Sequence, residues 1–488
     1  MTNEQYYDCI QPYQNACQIM RAKLEVLNGS LYQKSAVSPI HNIQERIKSK
    51  RSIEKKLEKL GYSDSVQNAK DYLRDIAGIR VICYFIDDIY NLVNALKRQS
   101  ELIFIREKDY IQNPKPNGYR SLHVIIAVPV YYLDTMEYFP VEIQLRTMTM
   151  DLTWDWPCGV AYYGLAEAYK ATGKTEYMEF LKNWVDEYIE MGLPSWNVNT
   201  CAMGHCLITL YEYTGDKKYW DLVMSKIDYL RNDALRFGDH VLQHTVSSNN
   251  DFPEQCWADT LFMAAFLMLR VGSKLRMLNP DDPKDAALME YQPQAMDIIN
   301  DSLNQYYWHI QYLQNKETSL WYHGYNNVHK DHMSGFYWGR ANAWAAYTMS
   351  QVKKNLYDWY LFPPCMDVEC SLRDQLAALK LVQTENGLWR TILDDEEAYE
   401  EVSASAGIAA AMVEMNNPLH AKYVQKALKG ILDNVSADGR VLNVSGGTAV
   451  MKDREGYMGV PKAWIQGWGQ GLALAFFTAI LNDSRKQQ

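Results

Sequence analysis

Between residues 141 and 165, VEIQLRTMTMDLTWDWPCGVAYYGL, the hydrophobic period of the chain changes. Val141, Ile143 and Leu145 alternate with Glu142, Gln144 and Arg146, the two-residue repeat of a half-buried strand. Two tryptophans, a proline and a glycine come next, and then a run with helical spacing. The stretch reads either as one domain with an odd middle or as two joined near residue 152. The change coincides with a break in composition: all 14 Trp of the 488 residues lie at or after Trp154. Residues 1–151 carry a net charge of +2 and the remainder −12, within a total of −10. Each side is long enough to bury a core of its own. The chain therefore reads as two domains, 1–151 and 152–488, with no Gly/Ser- or Pro-rich linker between them.

Several classes fall away. Hydrophobic residues at 48% and charged residues at 22% describe a globular chain, and no stretch approaches the length of a membrane span. The start, MTNEQYYDCIQ, lacks the basic and apolar regions of a signal peptide. Nine Cys without a C-x-x-C pair read as reduced thiols, which places the chain in the cytoplasm. The acidic balance argues against a nucleic-acid partner.

In the first domain, residues 46–59, RIKSKRSIEKKLEK, hold seven basic residues: Arg46, Lys48, Lys50, Arg51, Lys55, Lys56 and Lys59. Alone, such a run is usually a solvated helix face. The residues C-terminal to it favour a polyanion site instead. LRDIAGIRVICYFIDD sets Asp75 and a Gly turn before an apolar strand. EKDYIQNPKPNGYRSLHVIIAV is a loop leading into a strand, and FPVEIQLRT is another strand. The pattern predicts a mixed α/β unit with an antiparallel or mixed sheet.

RIKSK…SIEKKL, DIAGIRV, KDYIQNPKPNGYRSLH and VEIQLRT, in this order, resemble the synthetase domain of the RelA/SpoT family, in particular the small alarmone synthetases. The resemblance implies a nucleotidyltransferase-like mixed sheet and transfer of pyrophosphate from ATP to the 3′-hydroxyl of GDP or GTP. It implies that Arg46, Lys48, Lys56, Lys59 and Arg80 meet the ATP phosphates, and that Asp75 and Glu142 hold Mg²⁺. Glu142 would also accept the 3′-hydroxyl proton. Tyr119 would stack on guanine, and Lys115 and His123 would touch the acceptor nucleotide. These residue types suit the chemistry, because a transferring phosphoryl group is stabilised by Lys, Arg and a hard cation. No His/Asp hydrolase motif precedes the unit, so synthesis is its implied direction. The family continues after EIQLRT with an Asp-Phe-Trp-Ala-type segment and a Glu-His, where this chain has DLTWDWP. The domain thus reads as truncated, without its C-terminal helices. That predicts little or no alarmone product and leaves a guanine-nucleotide-binding remnant as the alternative.

The second domain is helical in pattern, with amphipathic segments near 160–190, 200–230, 257–271, 294–314, 338–355, 371–384, 403–415, 419–434 and 464–481. Loops such as NGLW, YHGYNN and SGGTAV separate them. No period of identical letters marks a solenoid, and helix pairs of this number suit a closed toroid. Aromatic faces with polar edges bind sugar rings, although Trp and Tyr fill cores as well. WPCGVAYYGL, PEQCWADTLFMAAFLMLR, LWYHGYNN, MSGFYWGRANAWAAY, NGLWRTILDD…YEEVSASAGIAAAM and GYMGVPKAWIQGWGQGLALAF resemble glycoside hydrolase family 105, the unsaturated rhamnogalacturonyl hydrolases, and family 88 more distantly.

That resemblance implies an all-α (α/α)6 barrel acting on a disaccharide that ends in a 4,5-unsaturated uronic acid. The implied mechanism protonates the C4=C5 double bond and hydrates it, with no cofactor. Asp259 is the implied acid and base. Its alternative is an N-cap for the next helix, which would lower its pKa where an acid needs it raised by burial. Asn199, His244, His323, Arg340 and Trp344 fall at substrate-contact positions, Arg340 against the uronate carboxylate and Trp344 against a sugar face. Asn199 stands where many members have Asp. His240 and His244 are four apart but lack a third ligand, which argues against a metal. The family also has one more helix before the W-x-x-G stretch.

Overall fold

The alternation at 141–146 is a strand in the computed structural model, which describes residues 2–35, 39–83, 85–113, 120–147, 154–246, 252–462 and 465–486. The chain divides into two units, Met1–Thr153 and Trp154–Gln488. The first contains α1 (Asn3–Ser35), β1 (Ile40–Ile47), α2 (Lys50–Lys59), α3 (Val66–Tyr72), β2 (Ala77–Cys83), α4 (Ile86–Lys97), β3 (Ile103–Asp109), β4 (Leu122–Tyr131) and β5 (Met136–Thr147).

Its sheet has the order β1-β2-β5-β4-β3, and only the β2–β5 pair is parallel. The α1 helix packs on β1, β2, β4 and β5. Tyr13, Cys17, Met20 and Leu24 of α1 join Ile79, Val81, Val124, Val141, Ile143 and Leu145 in one core. The strand period sends Gly78, Arg80, Glu142, Gln144 and His123 to the other face, where Gly78 pairs with Glu142 and Gln144 with both Arg80 and His123. The basic run at 46–59 is not one helix face. Arg46 ends a strand, and the helix begins at Lys50 under a Ser49 cap, because Ile43 and Ile47 keep the strand period while Ile53 and Leu57 bury the inner side of α2. Among the described residues, no helix comes after β5 within this unit.

The second unit contains α5 (Trp156–Thr172), α6 (Glu176–Met191), α7 (Val198–Cys201), α8 (Gly204–Thr214), α9 (Lys217–Asp228), α10 (Phe266–Arg276), α11 (Ala295–Leu313), α12 (Gly339–Ser350), α13 (Pro363–Leu381), α14 (Val402–Glu414), α15 (Ala421–Leu432), α16 (Arg454–Met458) and α17 (Gly467–Lys486). A π-helical turn at Leu261–Ala265 leads into α10. The segments at 160–190 and 200–230 are each two helices. Gly173 and Gly215 take left-handed φ values of 72° and 73°, which glycine adopts without cost and which stop α5 and α8.

Six of these helices pack in succession: α5 on α8, α8 on α10, the 261–265 turn on α12, α12 on α14, α14 on α17, and α17 back on α5. Five more cover them: α6 on α5 and α8, α9 on α8, α11 on α10, α13 on α11 and α12, and α15 on α14. The α5–α17 seam is tight. A Cβ on Gly471 would lie 2.1 Å from the Val160 carbonyl oxygen, and one on Gly164 would lie 2.4 Å from that of Gly471.

Candidate functional site

The inner helices bring their N-terminal ends together through a chain of side-chain and backbone contacts. Trp156 opens α5 and stacks on Trp468 of α17 with centroids 4.4 Å apart. Ala202 and Met203, which link α7 to α8, touch Gly159 of α5. Asn199 of α7 donates its backbone N–H to the Thr245 carbonyl at 3.3 Å. His244, beside Thr245, meets Thr260, the residue before the turn into α10, through Nδ1 and Oγ1 at 3.0 Å. Arg340 opens α12 and reaches Ser403 and Glu401 at the start of α14. Helix N-termini carry unpaired N–H groups and partial positive charge, so this end of the unit favours an anion.

Asp259 lies at this end. The short strand Gln255–Trp257 pairs with Gly324–Asn326, and the Ala258 N–H bonds the His323 carbonyl at 3.0 Å. Asp259 and His323 are thereby set side by side, with Oδ2 and Nε2 3.3 Å apart. Both atoms are buried, and neither has a hydrogen-bond partner among the described residues. Among those residues no backbone N–H binds Asp259 Oδ2, and the next helical turn begins without a side-chain cap. Burial pushes the Asp259 pKa up, but His323, with His244 and Arg340 nearby, outweighs burial and holds it below the ordinary carboxylate range. The raised acid expected from apolar burial is therefore absent in the free site. Burial lowers both imidazoles, His244 to about 4, so both are neutral at pH 7.

Other expected contacts are placed differently. His244 and His323 are both buried, His244 stacked on Trp257 at 4.4 Å, and neither offers an exposed surface. Asn199 is nearly buried on α7. Arg340 is 1% exposed. Its two terminal nitrogens donate to the Ser445 carbonyl at 3.0 Å, Ser445 Oγ at 2.9 Å, the Gly446 carbonyl at 2.7 Å and Thr448 Oγ1 at 3.1 Å. Its Nε is buried without a hydrogen-bond partner among the described residues. The guanidinium thus ties down the 445–448 loop, and no face is left for a bidentate uronate. Trp344 is fully buried, 5.2 Å from Phe262, and belongs to the core.

Three residues were not read from the sequence. Asp155 accepts the Trp156 N–H at 2.7 Å, and burial pushes its carboxyl up to about 6. Glu401 is buried, accepting from the Ala404 N–H at 2.6 Å, the Ser445 N–H at 2.9 Å and Ser403 Oγ. Tyr457 places its hydroxyl 3.0 Å from His323 Nδ1. Glu401 and Tyr457 stand inside the quoted runs YEEVSASAGIAAAM and GYMGVPKAWIQGWGQGLALAF, and Asp155 directly precedes WPCGVAYYGL.

In the first unit, Lys48 and Lys56 bond Oδ2 of Asp75 at 2.5 and 2.6 Å. Burial pushes the Asp75 carboxyl up, and the two ammoniums more than offset it, so its pKa is lowered. Its Oδ1 is buried and has no hydrogen-bond partner among the described residues. His123 Nδ1 lies 3.4 Å from Glu142 and Gln144 donates to Glu142 at 3.0 Å, which together hold Glu142 low against burial. Arg46 and Arg80 share this face, and Lys59 lies exposed at the end of α2. Lys115 and Tyr119 lie outside the described residues. Among the described residues, no group of three or more His, Cys, Asp or Glu is placed to hold a metal, and no helix is long and apolar enough to cross a membrane.

Comparison with known proteins accounts for both units. The model of Glycosyl Hydrolase Family 88 matches residues 134–483, and that of the region found in RelA/SpoT proteins matches residues 45–162. The unsaturated rhamnogalacturonyl hydrolase YesR of Bacillus subtilis is 48% identical over 346 residues, 71% of this chain and 94% of that protein. The GTP pyrophosphokinase YwaC of Bacillus subtilis is 43% identical over 139 residues, 28% of this chain. The chain spans 66% of that relative's length. A solved structure of a possible member of the GH105 family from Salmonella enterica aligns with a TM-score of 0.61 and 27% identity, over 68% of this chain and 84% of that one.

Proposed function

The chain belongs to glycosyl hydrolase family 88 and carries a RelA/SpoT region ahead of it, and we propose that its second unit hydrolyses oligosaccharides, disaccharides first, that end in a 4,5-unsaturated uronic acid. The observation that carries this reading is Asp259, a buried carboxylate set against His323 among converging helix N-termini. We read the ring of helices as an (α/α)6 barrel, and the chain as cytoplasmic.

The free site holds Asp259 as a carboxylate, so it must take up a proton from solvent when the substrate binds. The uronate carboxylate brings a like charge, which raises a neighbouring acid. The helix N-termini attract that carboxylate, the task that the motif had implied for Arg340. Asp259, once protonated, delivers its proton to C4. Water, oriented by Asn199, adds to C5 and returns a proton to Asp259. The C5 hemiketal then collapses and releases the neighbouring sugar. Incubation with an unsaturated uronyl disaccharide should remove the ultraviolet absorbance of the conjugated double bond. Asp259→Asn should abolish that loss while the fold is kept; near-normal turnover in this variant would end the assignment.

For the first unit we infer guanine-nucleotide and ATP binding, with alarmone synthesis as the second reading. Asp75 Oδ1 and Glu142 are hard oxygen donors that fit Mg²⁺, whose remaining ligands would be water and phosphate. When bound, Mg²⁺ supplies charge neutralisation at the transferring phosphates. Lys48 and Lys56 hold Asp75 ionised, and His123 does the same for Glu142, which supports Glu142 as the group that takes the 3′-hydroxyl proton. Incubation with Mg²⁺, ATP and GDP tests this: product that disappears in Glu142→Gln establishes synthesis, and nucleotide binding without product leaves a binding remnant.

A further inference from the structure

His323 is a neutral imidazole between two oxygens, and which of its nitrogens carries the proton decides what Asp259 can do. Nε2 faces Asp259 Oδ2 at 3.3 Å, and Nδ1 faces the Tyr457 hydroxyl at 3.0 Å. Were the proton on Nδ1, the Nε2 lone pair would face a carboxylate oxygen, and two buried acceptors would meet with nothing between them. With the proton on Nε2, that atom donates towards Asp259, and Nδ1 needs a donor. The Tyr457 hydroxyl is in reach to supply it.

We propose that Tyr457 is a positioning residue that locks His323 in its Nε2–H form and so turns a proton, not a lone pair, towards Asp259 Oδ2, leaving Oδ1 as the oxygen that exchanges protons with substrate and water. In the other tautomer, Nε2 would compete with the substrate for the proton on Asp259. Tyr457 is well placed to act as a fixed donor. It lies on the short helix α16, whose Asp453 cap accepts the Gly456 N–H at 2.8 Å and whose Arg454 pairs with Asp395. The phenol is buried, and Ser334 Oγ lies 3.4 Å from its oxygen, positioned to donate to it. His323 also packs on Trp338 with centroids 3.9 Å apart, which limits ring rotation. The partner thus arrives from 134 residues further along the chain.

The role in turnover rests on the hydrolase reading, whereas the tautomer does not. The test uses the full chain labelled with ¹⁵N-histidine, with the His323 signals identified by their loss in His323→Gln. Long-range ¹H–¹⁵N spectra should show His323 protonated on Nε2 in the wild type and a shift towards Nδ1–H in Tyr457→Phe. With an unsaturated uronyl disaccharide, Tyr457→Phe should lower kcat about 10- to 100-fold, the scale known for losing the hydrogen-bond partner behind a metal-bound histidine, with KM unchanged. A wild-type Nδ1–H form overturns the proposal even if the variant fails to fold. So does a Tyr457→Phe chain that keeps the wild-type tautomer, or one that keeps the wild-type kcat. A wild type that turns over no substrate but holds Nε2–H through Tyr457 refutes the hydrolase reading and leaves the tautomer assignment standing.

Discussion

Asp155 caps α5 and carries a carboxyl pushed up to about 6 by burial. An acid raised in the folded state contributes its stability below its unfolded value, near 3.9, and loses it as pH climbs through 6. Asp155→Asn keeps an acceptor for the Trp156 N–H and removes the charge. Its melting midpoint should exceed that of the wild type at pH 8, with the gain vanishing near pH 4. Equal midpoints at pH 8 would mean that the carboxylate is better solvated than its position implies. Arg340 belongs to the same scale. Removing it strands Glu401, a buried carboxylate 3.7 Å away, and breaking such a pair costs about 3–5 kcal/mol. Arg340→Ala should therefore lower the unfolding midpoint in denaturant as well as weaken turnover. A variant that changed only KM, at full stability, would return Arg340 to the role of a substrate contact.

Helices α5 and α17 are the first and last of the second unit, and their contact joins the ends of the succession. Gly471 and Gly164 allow backbone to lie against backbone there. Gly471→Ala puts a methyl 2.1 Å from the Val160 carbonyl oxygen, which cannot move aside as a side chain would. The helices must separate, and overpacking of this kind costs about 1–3 kcal/mol. Thermal unfolding should show the loss, and Gly173→Ala, with only open space around its Cβ, should show instead the strain of a left-handed alanine at the end of α5. If Gly471→Ala melts like the wild type, the two helices are not packed this closely.

The two units differ in the chemistry they hold, so the whole molecule should be separable by metal. EDTA should leave consumption of the unsaturated disaccharide unchanged, because the proposed steps use Asp259, water and the substrate alone. The same EDTA should abolish any Mg²⁺-dependent nucleotide reaction at Asp75 and Glu142. Residues 154–488 expressed alone should retain the hydrolysis, since they hold most of the 134–483 stretch that the family model matches. Loss of hydrolysis in that piece, with its helicity intact by circular dichroism, would show that the first unit is needed.

Local pattern carried the information that depends on neighbours in sequence. The strand at 141–146, the tryptophan boundary and the helical runs are set by side-chain periods and composition, because a half-buried strand or an amphipathic helix writes its burial into every second or every third to fourth residue. Asp75, Glu142 and Asp259 could be singled out as candidates because each sits inside a run of residues that resembles a family motif. Glycine breaks at 173 and 215, and the strand Ile40–Ile47, were not, since a short polar strand beside a basic helix has no strong period of its own. Tertiary structure alone decided what each buried group faces. Arg340 and Trp344 stand in the expected motif, yet one is spent on the 445–448 loop and the other on Phe262. Tyr457 and His323 are far apart in sequence and 3.0 Å apart in space. Protonation depends on such encounters, because desolvation and hydrogen-bond partners act through space, and no spacing along the chain records them.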